Sequence, residues 1–395
     1  MTNGVGTPVT REVPGLGTPI YLDYNATTPV DPVVADEISA HVRGTFGNPS
    51  SGHAFGAAAH AVLAEARGRV ADLLGAAPDE VVFTGGGSEG DNLAIKGIAF
   101  AQRDRGDHLI TTAVEHPAVL NACRWLVERL GYRLTVLPVD GYGQIDPDAV
   151  ARAIEPATVL VTVMHANNEV GTLNPIAEIA EICRQRGVPF HTDAAQSVGK
   201  VPTRVGDLGV DLLTIAGHKL YAPKGIGVLW VREGTILDSL VHGAGHERGR
   251  RAGTENVPYA AGLGLAATLC AERLESEPDR PRMLRNRLHT HLAELIAGLT
   301  LNGHPDERLP NTLNVSFPEV DAEELLASTP AVAAATGSAC HAGRTEPSAV
   351  LTAMGIPAAR ALGAVRLTIG RWSTEEEMER AASLLAASWR ALRQP

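Results

Sequence analysis

One cysteine of this chain lies where a reactive thiol could work. Cys340 belongs to TGSACHAG, residues 336–343, whose glycine, alanine and serine neighbours predict a loop rather than a core position. A thiol in such a loop can ionise and reach a substrate, as nucleophilic or sulfur-transfer chemistry requires. A small buried cysteine would explain the same neighbours. The catalytic interpretation gains weight because a lysine, an aspartate and a histidine follow predicted strands elsewhere in the chain.

The lysine and the aspartate come at the ends of two short apolar runs. Lys219 follows LLTIAG (residues 212–217) in a glycine-flanked turn, and Asp193 ends VPFHTD (residues 188–193). Considered alone, Lys219 would be an ordinary exposed lysine, and Asp193 would cap the helical turn that follows it.

A third segment, FTGGGSEGDNLAIKG (residues 83–97), follows a strand and opens a helix. Backbone N–H groups and the Ser88 hydroxyl would face an anion at that helix N-terminus; a plain strand-to-helix turn is the simpler explanation. A lysine, an aspartate and a phosphate cradle at separate strand ends are the parts that pyridoxal phosphate requires. The lysine forms the Schiff base, the carboxylate keeps the ring nitrogen protonated, and the cradle holds the phosphate.

The same glycine segment supports a rival class. Gly85, Gly87 and Gly90 satisfy the GxGxxG pattern of dinucleotide-binding proteins, and Glu115 could follow the next strand as a ribose ligand. An NAD-dependent oxidoreductase would leave the lysine, the aspartate and the cysteine without roles. A catalytically silent binding protein on the same fold would need to have lost the lysine or the nucleophile, and both are present.

Composition excludes several functions. A chain of 395 residues with 44% hydrophobic residues can build two core-containing domains. Its formal net charge of −11 argues against a direct nucleic-acid partner, and its short basic segment HERGRR, residues 246–251, predicts a solvated loop. Residues 1–19 lack the apolar core of a secretory signal, and the uncharged stretch 325–343 is too polar for a membrane span.

The other three cysteines predict structural roles. Cys123, Cys183 and Cys270 lie in helix-like stretches, where packing explains them. The four cysteines show no CxxC or metal-ligand spacing. We therefore expect no metal, no disulfide framework and a reducing, cytoplasmic location.

Short apolar runs alternate with amphipathic stretches along most of the chain. The predicted strands are VVFT (81–84), HLITTAV (108–114), RLTVLPV (133–139), TVLVTVMHA (158–166), VPFHTD (188–193), LLTIAG (212–217) and GVLWVR (227–232). This alternation predicts an α/β fold with a mainly parallel sheet, helices on both faces and ligands at the carboxyl ends of the strands. After about residue 272 a charged helical segment and the strands NTLNVSF and AVRLTIG predict a smaller α+β domain.

Taken together, these segments resemble the cysteine desulfurases and the related selenocysteine lyases of the class V aminotransferase group, which have fold type I. The resemblance extends from YLDYNATTP (21–29) to GRWSTEEE (370–377) and is carried by GNPSSGH, TGGGSEGDNLAIKG, EHPAV, HANNEVG, HTDAAQSVGK, GHKLYAPKGIG, HERGRRAGTENVP, TGSACHAG and VRLTIGR. It implies a large cofactor domain over residues 29–272. Residues 1–28 and 273–395 would form the small domain with the cysteine loop.

The resemblance also implies a role for each site residue. Lys219 would be the Schiff-base lysine and acid/base, Asp193 the partner of the ring nitrogen, and Cys340 the nucleophile. His116 would stack on the ring and take part in catalysis, and Asn168 and Gln196 would contact the ring face and its 3-hydroxyl. Gly87, Ser88 and His218 would bind the phosphate, and Thr254 would contact the phosphate of the neighbouring subunit. Arg366 would bind the substrate carboxylate, and Asn168 would also contact the substrate. Taken singly, His116, Asn168, Gln196 and Arg366 each have an ordinary structural explanation, such as a helix start or a surface ion pair.

The implied reaction converts L-cysteine to L-alanine, leaves a persulfide on Cys340 and passes its sulfur to an acceptor protein, which we expect to dock near the loop 336–348. The implied assembly is a homodimer. A selenocysteine lyase, acting on L-selenocysteine, is the alternative, because His341 after the cysteine is similar to those enzymes. Ala216 stands where desulfurases commonly carry a phosphate-binding serine, so weaker cofactor binding is expected. GGGSEG replaces the usual GGTES-like or GATES-like string, a departure that bears on the Ser88 contact.

Overall fold

The computed structural model describes residues 18–337, 339–341 and 344–394. Within these ranges the strands are β1 (Ile20–Tyr21), β2 (Val81–Thr84), β3 (His108–Thr112), β4 (Arg133–Leu137), β5 (Thr158–Thr162), β6 (Phe190–Asp193), β7 (Leu212–Ala216), β8 (Gly227–Val231), β9 (Thr300–Asn302), β10 (Thr312–Ser316), β11 (Val332–Ala333), β12 (Ala335–Thr336), β13 (Ala339–His341), β14 (Arg344–Glu346) and β15 (Ala364–Thr368). The α-helices are α1 (Pro32–Gly44), α2 (Ala54–Leu74), α3 (Gly87–Ala101), α4 (Pro117–Leu130), α5 (Pro147–Ala153), α6 (Ile176–Arg186), α7 (Val205–Leu208), α8 (Val257–Ser276), α9 (Arg280–Leu295), α10 (Ala322–Ala327), α11 (Ala349–Ala353), α12 (Ala358–Leu362) and α13 (Glu375–Leu392).

The central sheet has seven strands in the order β2-β8-β7-β6-β5-β3-β4. All neighbouring pairs are parallel except those of β8, which runs antiparallel to β2 and to β7. Every residue of β2, β3 and β5 to β8 is buried, which explains why these strands read as continuous apolar runs rather than alternating ones. The predicted α/β class and mainly parallel sheet are confirmed.

The connections that carry chemistry lie at one edge of this sheet. The glycine segment follows β2, His116 follows β3, Asn168 follows β5, Asp193 ends β6, and Lys219 follows β7. These strands share one direction, so their carboxyl ends meet at the same edge. Antiparallel β8 begins at this edge, and a Cβ on its first residue would lie 2.7 Å from the carbonyl carbon of Gly86. Only glycine at position 227 lets the glycine segment lie against the sheet.

The small sheet is antiparallel, in the order β12-β15-β10-β9, and α9 and α13 pack beside it. Its apolar core includes Leu22, because β1 pairs with β11 and brings the start of the described chain to this end. The charged segment predicted after residue 272 is split: α8 ends before Glu277 and α9 begins at Arg280. Pro278 disfavours the helical conformation for the residue before it, and Glu277 has φ −134° and ψ 49°. The domain boundaries after residues 28 and 272 stay a prediction.

The prediction of a solvated loop for HERGRR holds for the exposed Arg248 and Gly249 but is wrong for Glu247. Glu247 is 4% exposed, and its carboxylate accepts two hydrogen bonds from the guanidinium of Arg67, at 2.7 and 2.8 Å, and one from the N–H of Phe83 at 3.0 Å. Glu247 and Arg248 have φ values of 46° and 57°, which are unfavourable for residues other than glycine. The buried ion pair therefore holds a strained turn against α2 and β2. No helix in the described ranges is long and apolar enough to cross a membrane.

Replacing Arg67 by Met should lower the free energy of unfolding by about 3–5 kcal/mol, because it leaves the Glu247 carboxylate buried without its cation. The measurement is unfolding in denaturant. Arg69→Ala is the matched control, since Arg69 lies on the same helix and pairs with the exposed Glu65, and it should cost less than about 1 kcal/mol. Equal losses of unfolding free energy in the two variants would contradict the stabilising role of the Arg67–Glu247 ion pair.

Candidate active site

A cavity of about 690 Å³ lies at the carboxyl edge of the central sheet. Most of the residues proposed from the sequence line it together: Gly87, Ser88, His116, Asn168, Asp193, Gln196, His218, Lys219 and Arg366. Arg366 comes from β15 of the small sheet, whereas the others follow strands of the large one. The cavity thus lies where the two sheets meet.

The amine of Lys219 is held by two backbone carbonyls. It donates to the oxygen of Asn25 and, at 2.7 Å, to the oxygen of Ala26. Burial lowers the pKa of Lys219 to about 8, helped by the nearby Arg366 cation and opposed by the Asp193 and Asp23 carboxylates. A lysine with this pKa is partly neutral near physiological pH, so it can act as a nucleophile and as an acid/base.

Two buried carboxylates also line the cavity. Oδ1 of Asp193 accepts from the N–H of Ala195 at 2.9 Å, so the capping interpretation of Asp193 holds as well as its place in the cavity. Burial raises the pKa of Asp193. Asp91 also lines the cavity, is 2% exposed, and its Oδ1 has no hydrogen-bond partner within the described residues. Burial, followed by the Asp193 charge, raises the pKa of Asp91. These carboxylates form an electrostatic environment that favours a cation.

Glu115 does not serve the dinucleotide interpretation. Its carboxylate accepts from the N–H of Met164 at 3.0 and 3.1 Å and from the hydroxyl of Thr112 at 2.8 Å. Burial raises its pKa to about 8. The prediction that Glu115 could bind a ribose is wrong, because a 6% exposed side chain held by these donors is not offered to a ligand.

Asn25, like Asp91, is a site residue that the sequence reasoning did not identify. It is 1% exposed, and its carbonyl accepts from Nε2 of Gln196 at 3.0 Å as well as from Lys219. Its side-chain amide donates to the hydroxyl of Thr312 at 2.9 Å and accepts from Nδ2 of Asn311 at 3.1 Å. Asn25 lies in YLDYNATTP, which carries part of the resemblance, but nothing in the local pattern indicates that it is buried.

His116 begins α4, as its ordinary structural explanation had it, and it also lines the cavity. Its Nδ1 accepts from the N–H of Ala118 at 3.2 Å, so a ring proton belongs on Nε2. Burial lowers the pKa of His116, with Lys219 acting in the same direction and Asp193 opposing. A neutral ring is suited to stacking and to donating one proton from Nε2.

The glycine segment forms an anion-binding end. Helix α3 begins at Gly87, and the exposed Ser88 lies in its first turn, so free backbone N–H groups and a hydroxyl meet the cavity. Glu89 holds the segment by accepting from the N–H of Gly85 at 2.7 Å, and it pairs with Arg251 at 2.8 Å. His218 also lines the cavity, and its Nδ1 lies 3.1 Å from the hydroxyl of Thr27. Burial lowers the pKa of His218 to about 4, so its ring is neutral.

Arg366 is pre-oriented rather than free. Its Nη2 pairs with Asp23 at 2.7 Å, and its Nη1 donates to the backbone oxygen of Asn168 at 3.1 Å. Its Nε has no partner within the described residues. The guanidinium therefore keeps unused N–H groups beside the cavity, which can bind a carboxylate.

One of the proposed residues, Thr254, does not meet this cavity, and the structure does not describe the side chain of another, Cys340. Thr254 is exposed and does not line it. Cys340 lies on β13, whose backbone pairs antiparallel with β14, opposite Thr345; the side chain of Cys340 lies outside the described part of the chain.

A lysine and buried carboxylates lining one cavity, at the carboxyl edge of a mainly parallel α/β sheet, define the class of the protein as a fold type I enzyme. The model of the aminotransferase class-V family matches residues 20–381. The chain belongs to that family.

Curated relatives and solved structures agree with this membership. The chain is 46% identical to the cysteine desulfurase IscS of Methanosarcina thermophila over 91% of this chain and 89% of that protein. It is 45% identical to the cysteine desulfurase IscS of Klebsiella pneumoniae over 95% and 94%. A NifS-like protein superposes with a TM-score of 0.87 at 34% identity over 95% of this chain and 99% of that one. SspA in complex with cysteine gives 0.80 at 38% identity over 90% and 100%. The predicted family and fold type I are confirmed.

The amine of Lys219 should react with an acylating reagent half-maximally near pH 8 in protein freed of bound small molecules, against 10.5 for an unperturbed lysine. Only the neutral amine reacts, so labelling rises with pH through its pKa. Arg366→Met should move the midpoint upward by removing a cation, and Asp193→Asn should move it downward by removing an anion. Site-resolved mass spectrometry of the labelled lysines gives the midpoints, and a value near 10.5 would contradict the role of burial.

Proposed function

We propose that this protein is a pyridoxal phosphate-dependent cysteine desulfurase, which converts L-cysteine to L-alanine and carries the sulfur on Cys340. The observation that carries the proposal is the cavity that Lys219 and Asp193 both line, in a chain 44–46% identical to several cysteine desulfurases. The structure of SspA in complex with cysteine supports cysteine as the substrate.

The residues present fit pyridoxal phosphate at both ends of the cavity. A pyridinium nitrogen would supply the cation that the buried Asp193 carboxylate favours. The N-terminal turn of α3 with Ser88, and the neutral ring of His218, would hold the phosphate. Lys219 is the amine to which the aldehyde would attach. When bound, this cofactor supplies an electron sink for charge that develops at the substrate α-carbon.

The proton steps belong to side chains of the chain. Lys219, with its pKa of about 8, can take the proton from the α-carbon of cysteine and return a proton during formation of alanine. The unused N–H groups of Arg366 would bind the substrate carboxylate and fix the orientation of the α-carbon. His116 would lie against the cofactor ring, and Asn168 and Gln196 would contact its face and 3-hydroxyl.

The sulfur step is an exchange that needs no oxidant. The thiolate of Cys340 attacks the sulfur of the substrate, a sulfur–sulfur bond forms, and the bond between that sulfur and the substrate β-carbon breaks. The β-carbon then takes a proton, so the products are alanine and a persulfide on Cys340. A partner protein that accepts this sulfur near residues 336–348 is part of the proposal.

A selenocysteine lyase is the second candidate, because His341 follows Cys340 as in the enzymes that this chain resembles in that segment. A selenol leaves more readily than a thiol, so such an enzyme would depend less on an attacking cysteine. The distant NAD-dependent alternative rests on the GxGxxG pattern and loses the added support of Glu115, which is buried and already holds three hydrogen bonds.

The proposed assembly is a homodimer in which Thr254 reaches the phosphate of the neighbouring subunit. Its exposure, away from its own cavity, supports this arrangement. The exposed pair Phe46 and Phe55, with ring centroids 5.0 Å apart, offers an apolar surface for a second copy. The predicted reducing location is consistent with the unpaired thiols of Cys123, Cys183 and Cys270 and stays a prediction.

Purified protein given L-cysteine without oxygen should release alanine and gain a sulfur adduct on Cys340, detectable by mass spectrometry of the intact peptide. Cys340→Ala should keep the bound cofactor but form no persulfide, and Lys219→Ala should lose both the lysine-bound cofactor and alanine release. L-selenocysteine is assayed in parallel. Alanine from selenocysteine alone would replace the desulfurase by the lyase, and alanine release by Lys219→Ala at the wild-type rate would refute both.

Ala216→Ser should tighten cofactor binding about fivefold, the effect of about 1 kcal/mol from one added hydrogen bond. Ala216 lines the cavity beside the glycine segment: a Cβ built on Gly87 would lie 3.2 Å from the Cβ of Ala216. Ala216→Val adds volume without a donor and should not tighten binding. Cofactor titration followed by absorbance measures both variants; equal tightening by serine and valine would argue against a missing phosphate donor.

A further inference from the structure

Lysine is rare in this chain, and its positions are not random. Only four of the 34 lysine and arginine residues are lysines: Lys96, Lys200, Lys219 and Lys224. Lys219 and Lys224 line the active-site cavity, and Lys200 lies directly behind it. Arginine keeps its charge under all ordinary conditions, whereas a buried lysine changes its protonation readily. The presence of lysine at position 200 therefore calls for a chemical explanation.

The turn before Lys200 forces its side chain inward. Gly199 has a φ of 75°, and a Cβ there would lie 2.5 Å from Leu220 and 3.0 Å from the sulfur of Cys270. Only glycine fits both the conformation and the space. The side chain of Lys200 consequently enters the protein beside Lys219 rather than extending into solvent.

The amine of Lys200 has amide partners instead of a carboxylate. It donates to Oε1 of Gln196 at 2.9 Å and to Oδ1 of Asn25 at 3.5 Å. Within the described residues no carboxylate lies within ion-pair distance of it. The charged and titratable groups around it in the described part of the chain are those of Lys219, Arg366, Cys270, Arg371, Arg273, Glu277, Arg280, Tyr221 and His218. Burial, followed by the charge of Lys219, lowers the pKa of Lys200 to about 7.

Two contacts set which way the Gln196 amide points. The protonated amine of Lys200 only donates hydrogen bonds, so the amide oxygen faces Lys200 and the amide nitrogen faces away. That nitrogen donates to the carbonyl of Asn25 at 3.0 Å, the same oxygen that accepts from Lys219. Among the described residues the second N–H of Gln196 has no partner, and Gln196 lines the cavity.

We propose that Lys200 is a positioning residue, which fixes the Gln196 amide so that its free N–H faces the ring hydroxyl of the bound cofactor. The proposal rests on the proposed function, because it requires the cofactor in this cavity. It assigns to Lys200 a role that acts through Gln196 and through the shared Asn25 carbonyl.

The orientation of the Gln196 N–H should affect the pH titration of the cofactor attached to Lys219. A donated N–H stabilises the ionised ring oxygen and so favours loss of the proton between that oxygen and the lysine nitrogen. Lys200→Met removes the group that orients the donor, and the midpoint of the absorbance change should rise by about one pH unit, the size of one hydrogen bond to a charged group. Lys96→Met, a lysine on α3 that lies over the Trp125 ring, is the matched control and should leave the midpoint unchanged.

Loss of the Lys200 charge could by itself raise the midpoint. A double variant separates this charge effect from the loss of Gln196 orientation. Gln196→Leu should raise the midpoint alone, and Lys200→Met added to it should cause no further rise. A further rise of similar size would show that Lys200 acts through its charge and would overturn the proposal. An unchanged midpoint in Gln196→Leu would overturn it even if Lys200→Met failed to fold. Wild-type protein that binds no cofactor would refute the proposed function, whereas normal loading with an unshifted Lys200→Met midpoint would refute only the role of Lys200.

Discussion

The hydrogen bonds of one buried asparagine tie the active site together. Asn25 donates its backbone N–H to the hydroxyl of Thr368 at 3.0 Å, and its carbonyl accepts from both Lys219 and Gln196. A buried amide without partners is costly, so each of these partners constrains the position of the others. Thr368 ends β15 of the small sheet, whereas Lys219 follows β7 of the large one. Asn25, which belongs to neither sheet, therefore links the large sheet to the small one at the cavity.

Burial acts in opposite directions on the two kinds of charge in the cavity. It lowers the pKa of Lys219 and raises the pKa values of Asp193 and Asp91, so both kinds of group lose charge relative to water. A ligand with a cationic ring and an anionic phosphate would give the Asp193 carboxylate a cation and the N-terminal turn of α3 an anion. The site is thus organised for its ligand at some expense of the stability of the empty protein, as is common at functional sites.

The sequence allowed the strands to be predicted because fully buried strands read as short apolar runs with a polar residue at their end. Asp193 and Lys219 were found by that rule. Asn25 and Asp91 were missed because their burial depends on partners far along the chain, such as Thr368, 343 residues from Asn25. The HERGRR prediction failed at Glu247 for the same reason, since the partner of that residue lies 180 residues away on α2. The scarcity of lysine in the sequence sets Lys200 apart, but its role can be inferred only from its contacts in the structure.

The ion pair between Arg366 and Asp23 affects how firmly the site binds the substrate carboxylate. The Arg366 guanidinium is already paired with Asp23, and that anion weakens its attraction for a second carboxylate. Substrate and product of the proposed reaction carry the same α-carboxylate, so stronger binding there would hold alanine as firmly as cysteine. Binding that does not distinguish the transition state from the ground state gives no gain in the rate of the bound complex. The Asp23 pair thus orients the arginine while limiting its affinity, which favours release of the product.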